Sequence, residues 1–187
     1  MNIKKISRSA LLVFALGLGS TIMTSHASEI AAFKGNSKSI NTQGVIYRFD
    51  TWKTLNWGNW GNAVVFGEAE IGKWRGQQEQ LAGRESNRTI IEVGFKPVLR
   101  NYPLESTSFR PYLDAGLGFH LLSHTAINLY RRLPGAFQFG EVLGVGAEFC
   151  AKLACAAGVR LQHVSNGGLK APNFGITFSQ ILFGYRF

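Results

Sequence analysis

Ile181-Leu182-Phe183-Gly184-Tyr185-Arg186-Phe187 is the stretch on which the fold turns. Successive side chains of an extended strand point to opposite sides. Ile181, Phe183, Tyr185 and Phe187 therefore share one face, and Leu182, Gly184 and Arg186 share the other. A strand with bulky apolar groups on one side and an arginine on the other separates two different media.

The same period recurs upstream. Phe109, Pro111, Leu113, Ala115, Leu117 and Phe119 alternate with Arg110, Tyr112, Asp114 and His120. Ile91, Val93, Phe95, Pro97 and Leu99 alternate with Glu92, Gly94, Lys96 and Arg100. Ala63, Val65, Ala69 and Ile71 alternate with Phe66, Glu68 and Glu70, and Val45, Tyr47 and Phe49 with Arg48 and Asp50. Apolar residues outside and ionic residues inside, strand after strand, is the pattern of a membrane barrel. A soluble sandwich alternates too, but rarely needs charge on its inner face. The expected strands are about 29–35, 44–53, 62–74, 87–99, 109–120, 137–149, 156–165 and 175–187. They give an all-β fold, an eight-stranded antiparallel transmembrane β-barrel over 28–187, its lumen filled by a salt-bridged network of Arg110, Asp114, Arg160, Glu68 and Glu70. Gly116, Gly118, Gly144 and Gly146 face inward, where a narrow barrel needs small residues.

Residues 1–27 read as an export signal: Lys4, Lys5 and Arg8, then the apolar run Ala10 to Leu18, then the small-x-small site Ser25-His26-Ala27. Losing those three cations takes the formal net charge from +9 to +6. In an exported chain that excess favours an anionic membrane surface and speaks against nucleic acid. The barrel then belongs in the bacterial outer membrane. An even strand count puts both termini in the periplasm, with outer loops at 36–43, 75–86, 121–136 and 166–174 and inner turns at 54–61, 100–108 and 150–155. Trp52, Trp57, Trp60 and Tyr102 form an aromatic belt near the inner turns. Cys150 and Cys155 flank the last of these. They bond if the turn breaks the pleat, and stay apart as small apolar residues if it does not.

His163 and Ser165 share the outward parity of Val159 and Leu161, at the outer end of their strand. A base beside a hydroxyl is the minimum for an activated nucleophile, and on a lipid-facing wall its substrate is a lipid. A polar pair at the headgroup level of a barrel rim would have the same pattern.

The run His163-Val164-Ser165-Asn166-Gly167-Gly168-Leu169-Lys170, followed by Pro172-Asn173 and Gly175-Ile176, closely resembles the lipid A 3-O-deacylases, the PagL family. Weaker similarity continues through Ile46-Tyr47-Arg48, Arg110 to Gly118 and Gly144-Val145-Gly146. The resemblance implies a barrel enzyme that removes the ester-linked 3-hydroxyacyl chain from lipid A in the outer leaflet. It implies Ser165 as nucleophile, His163 as general base, and the Asn166 side chain and Gly168 N–H as oxyanion donors. The family's orienting glutamate falls at Thr177, which can accept a hydrogen bond but carries no charge. Glu141 has the outward parity of Leu143 and Val145, and faces His163 in one register and Ser165 in the next. It is the candidate replacement acid.

Arg131 and Arg132, in an outer loop, are candidates to hold lipid A phosphates. His120 and His124 could share a face, but a strand end running into a loop makes a poor metal site, and no metal or cofactor is expected. The last strand, ending in Phe187, is similar to the assembly signal of outer-membrane barrels, which implies the barrel assembly machinery as a partner. A homodimer is compatible with the sequence. The competing reading is an inert barrel of the same fold, with a structural or surface-interaction role.

Overall fold

The computed structural model describes residues 28–38, 40–76, 89–104, 106–127, 132–171 and 175–187, so the expected leader lies outside the described residues. Eight strands run β1 (Glu29–Ser37), β2 (Ile40–Asn56), β3 (Asn62–Gly76), β4 (Thr89–Tyr102), β5 (Arg110–Leu122), β6 (Phe137–Phe149), β7 (Cys155–Ser165) and β8 (Ile176–Arg186). Each pairs antiparallel with the next, and β1 pairs with β8, which closes the barrel. The first and last strands place both termini at one end.

The outward face is what the alternation requires of a membrane wall. Leu113, Leu117, Leu143, Val159, Leu161, Ile181 and Phe183 all stand about half exposed or more. Such a surface is stable only against lipid. An aromatic ladder of Phe95, Phe119, Phe137 and Phe139 crosses β4 to β6 with ring centroids 5.3 to 6.2 Å apart.

The lumen is ionic at mid-barrel. Arg100 forks onto Asp114 with two bonds of 2.8 Å and reaches Glu148 at 3.1 Å. Arg160 donates to Glu68 at 2.6 Å, Glu70 at 3.1 Å and Gln180 at 2.6 Å. Lys96 pairs with Glu70, and Arg48 with Glu29 and Glu68. The expected network is present, and it is larger than the sequence alone suggested, because Glu29 and Glu148 also serve it. Towards the end opposite the termini the filling turns apolar, with Ile40, Trp74, Ile90, Leu122, Val164, Ile176 and Phe178 buried together.

Three expectations are corrected. The first hairpin is strand almost to its tip, so 36–43 is not a loop: Asn36 pairs with Asn41 and Gly35 with Thr42. Polar outward residues there hid the alternation. β2 also extends to Asn56, with irregular register between Arg48 and Lys53. Tyr102 is not part of an aromatic belt: it is buried on the inner face, its hydroxyl donating to Glu148 at 2.7 Å, whereas Trp52, Trp57 and Trp60 are exposed.

Cys150 and Cys155 are bonded, with Cα atoms 5.4 Å apart. Cys150 leaves the pleat at φ 68°, which lets two side chains of opposite parity meet.

Candidate active site

The site lies where β6, β7 and β8 reach the end opposite the termini. His163 pairs with Glu141 on one side and Thr177 on the other, and Ser165 pairs with Phe139. Buried Val164 and Ile176 point inward and pin the strand ends between them. His163 and Ser165, both half-buried, are thereby turned outward.

The imidazole has a defined pose. Nδ1 lies 2.9 Å from the Thr177 hydroxyl. A Cβ built on Gly175 would stand 2.5 Å from Cε1, 2.7 Å from Nε2 and 3.2 Å from the Ser165 Cβ. The ring edge carrying Nε2 thus lies over a bare backbone, beside Ser165. Any side chain at 175 would displace it. In the tautomer that donates Nδ1–H to the Thr177 hydroxyl, Nε2 carries the lone pair that a general base needs.

The turn after Ser165 is held by its own residues. Gly167 and Gly168 have φ of 63° and 80°, a region costly for residues with a Cβ. Asn166 is nearly buried. Its Oδ1 accepts the Gly168 N–H at 3.1 Å, and its Nδ2 donates to the Lys170 carbonyl at 2.7 Å. The Gly168 N–H is therefore bonded within the turn and would have to exchange its partner to meet a substrate oxyanion, whereas the Asn166 amide spends one of its two N–H groups on Lys170. The Gly167 N–H approaches Ser165 Oγ at 3.5 Å. The Phe139 ring packs against Gly167 closely enough that a Cβ there would meet it at 2.9 Å.

Glu141 is exposed and directly opposite His163. Directly opposed side chains have Cβ atoms about 5 Å apart. Among the described residues its carboxylate makes no hydrogen bond or ion pair with the imidazole. Arg132 is exposed, its Nε 3.3 Å from Thr125 Oγ1, while Arg131 lies outside the described residues. His124 meets Ser123 Oγ at 3.0 Å, and His120 is buried elsewhere, 3.2 Å from Glu92 and 3.4 Å from Glu70. Glu70, Glu92 and His120 offer ligand atoms within 4.8 Å of one another, the one grouping among the described residues able to hold a metal ion. It lies in the lumen, on the opposite side of the wall from Ser165. Sequence reasoning had singled out neither Gly175 nor Phe139 for a role. The glycine that opens β8 was the available signal for the first.

A family profile described as lipid A 3-O-deacylase (PagL) matches residues 41–186. The chain belongs to the lipid A 3-O-deacylase (PagL) family. Among its relatives, the lipid A deacylase PagL of Bordetella bronchiseptica is 30% identical over 148 residues, covering 78% of this chain and 76% of the relative. The lipid A deacylase PagL of Pseudomonas aeruginosa is 28% identical over 159 residues, covering 83% and 84%. A crystal structure of the outer membrane enzyme PagL superimposes with a TM-score of 0.70 at 24% identity, over 84% of this chain and 98% of that one. That likeness establishes a shared PagL fold.

Proposed function

We propose that this barrel sits in the bacterial outer membrane and hydrolyses the ester-linked 3-hydroxyacyl chain of lipid A, with Ser165 as nucleophile and His163 as base. The observation that carries the reading is the pose of His163: Nδ1 on Thr177, and the Nε2 edge over Gly175 beside Ser165. Nε2 takes the Ser165 proton as Oγ attacks the ester carbonyl. The tetrahedral oxyanion is received by N–H donors of the 166–168 turn, the Gly168 N–H exchanging its Asn166 Oδ1 partner for it. Collapse breaks the ester C–O bond, and the sugar 3-oxygen leaves with the proton from Nε2. Water, deprotonated by the same imidazole, then attacks the acyl-serine and releases the 3-hydroxy fatty acid.

Thr177 orients the ring through Nδ1, and Glu141 supplies negative charge to the imidazolium from the neighbouring strand. A buried triad acid usually does both. Here the two tasks fall to residues on opposite sides of His163. The last strand, ending in Phe187, is what the barrel assembly machinery reads.

A second reading, an inert barrel, is favoured by the neutral Thr177 at the Nδ1 position. Mass spectrometry of lipid A from cells expressing the protein or Ser165→Ala separates the two. Loss of one 3-hydroxyacyl mass only with the intact serine is the expected result. Unchanged lipid A with an assembled wild-type barrel would overturn the lipid A reading and favour an inert barrel or an esterase of another acyl ester.

A further inference from the structure

We propose that a polar, cationic strip on the outside of the wall, from β8 to β3, binds the phosphate groups of lipid A and positions its sugar against Ser165. This rests on the deacylase reading above.

Most of the outward wall is apolar, but the sector next to the candidate site is not. Leu161 pairs with Ser179, Ser179 with Asn36 and Asn36 with Asn41; Lys34 pairs with Gln43 and Gln43 with Lys73. Asn41 in turn pairs with Arg75. Ser179, Lys34, Asn36, Asn41, Gln43 and Arg75 are exposed and Lys73 half-buried, all on the outward parity. Among the described residues, none of the three cations has an acidic partner. On the other flank of the site the same level is apolar, with Leu121, Phe119, Phe137 and Phe139 exposed.

Register sets the height of this strip. A line drawn perpendicular to the strands passes from Leu117, well inside β5, through Glu141 and His163 to Thr177, one residue from the end of β8, and then runs past the end of β1. The line therefore climbs by roughly 3 Å per strand, as strand spacing and a barrel tilt near 40° require. Lys34, Lys73 and Arg75 lie below that line by a few residues each, which returns them to within roughly 7 Å of the height of His163. Cations on a lipid-facing wall are costly at the bilayer midplane and tolerated near the headgroups. At this height an unpaired cation meets headgroup phosphate rather than hydrocarbon.

The lateral spacing suits one glycolipid. β1 is two strands from β7, about 10 Å, and β3 is two strands further, about another 10 Å. A groove of about 750 Å³ on this face has Leu143 and Leu161 on one side and Lys34, Asn36 and Asn41 on the other, with Ser179 between. Its apolar side would take acyl chain. Its polar side offers ammonium and amide donors to phosphate and sugar oxygens. A phospholipid, with one phosphate, would engage only part of the strip.

The test is binding, in a Ser165→Ala background so that nothing turns over. The barrel with and without K34Q/K73Q/R75Q is titrated in detergent micelles with phosphorylated lipid A and with its dephosphorylated form. Folding is verified by the heat-modifiable mobility of the barrel. The expected result is about a tenfold preference for the phosphorylated form, abolished by the triple substitution and retained in K34R/K73R/R75K. Equal binding of the two forms by the Ser165→Ala barrel would overturn the proposal. So would a preference that survives the triple substitution, or one lost instead in R131Q/R132Q. In the Ser165-containing enzyme, K34Q/K73Q/R75Q raises KM for phosphorylated lipid A and also lowers kcat, as lost positioning requires. If that enzyme deacylates nothing while the wall-dependent phosphate preference holds, the deacylase reading fails and the strip stands.

Discussion

His163 Nδ1 and the Thr177 hydroxyl are 2.9 Å apart, across the directly paired position of β7 and β8. A hydroxyl occupies the place from which a carboxylate would both orient the ring and stabilise its charge. The orientation survives the exchange, and the charge does not. Thr177→Glu is therefore expected to raise kcat/KM for lipid A deacylation by about 10- to 100-fold, and Thr177→Val to lower it. A rate unmoved by either change would mean that Nδ1 has no part in the reaction.

Glu141 gives a complementary expectation. Glu141→Gln lowers kcat by about tenfold in the Thr177 protein and much less in Thr177→Glu, because the second carboxylate makes the first redundant. Unchanged kcat in the Thr177 background would remove Glu141 from the mechanism.

Gly175 is where a single methyl group should do the most harm. Its Cβ would lie 2.5 Å from the imidazole and force the ring off Ser165. A displacement near 1 Å can cost about 100-fold in rate. Gly175→Ala should show that loss in kcat while the barrel still assembles, read from its heat-modifiable mobility.

In the lumen, Arg160 bridges Glu68, Glu70 and Gln180 and is nearly fully buried. Removing one partner of a buried network leaves charge uncompensated, at about 3–5 kcal/mol. Arg160→Met is expected to lower unfolding stability by that amount in urea titrations of the refolded barrel, a loss absent from substitutions at exposed Leu161.

The Cys150–Cys155 bond closes a short loop at the termini end, far along the strands from Ser165. Loop-closure entropy for so few residues gives about 2 kcal/mol. Reduction, or a Cys150→Ser/Cys155→Ser double change, should cost that much stability and leave the deacylation rate unaltered.

Period-two alternation made the inside and outside of β3 to β8 legible from sequence, because a barrel wall separates lipid from an ionic lumen. It put Arg160, Glu68 and Asp114 inside and His163 and Ser165 outside. It failed at Asn36 to Gln43, where the outward Asn36, Asn41 and Gln43 are polar and leave no apolar face to alternate. It also missed Glu148 as the hub for Arg100, Arg110 and Arg186. Parity gives the face a residue occupies, and partners depend on packing across the lumen.

The sequence by itself determined an eight-stranded barrel, the facing of its side chains, and a His-x-Ser pair at one strand end. Only the tertiary structure decided the register. Sliding one strand past its neighbour by two residues keeps every side chain on its face, so alternation cannot choose between such pairings. The short disulfide-closed turn between β6 and β7 makes that choice, placing Glu141 beside His163 and Phe139 beside Ser165. Closure of β1 onto β8 then brings Lys34 and Asn36 round to the same wall, an arrangement that local sequence does not encode.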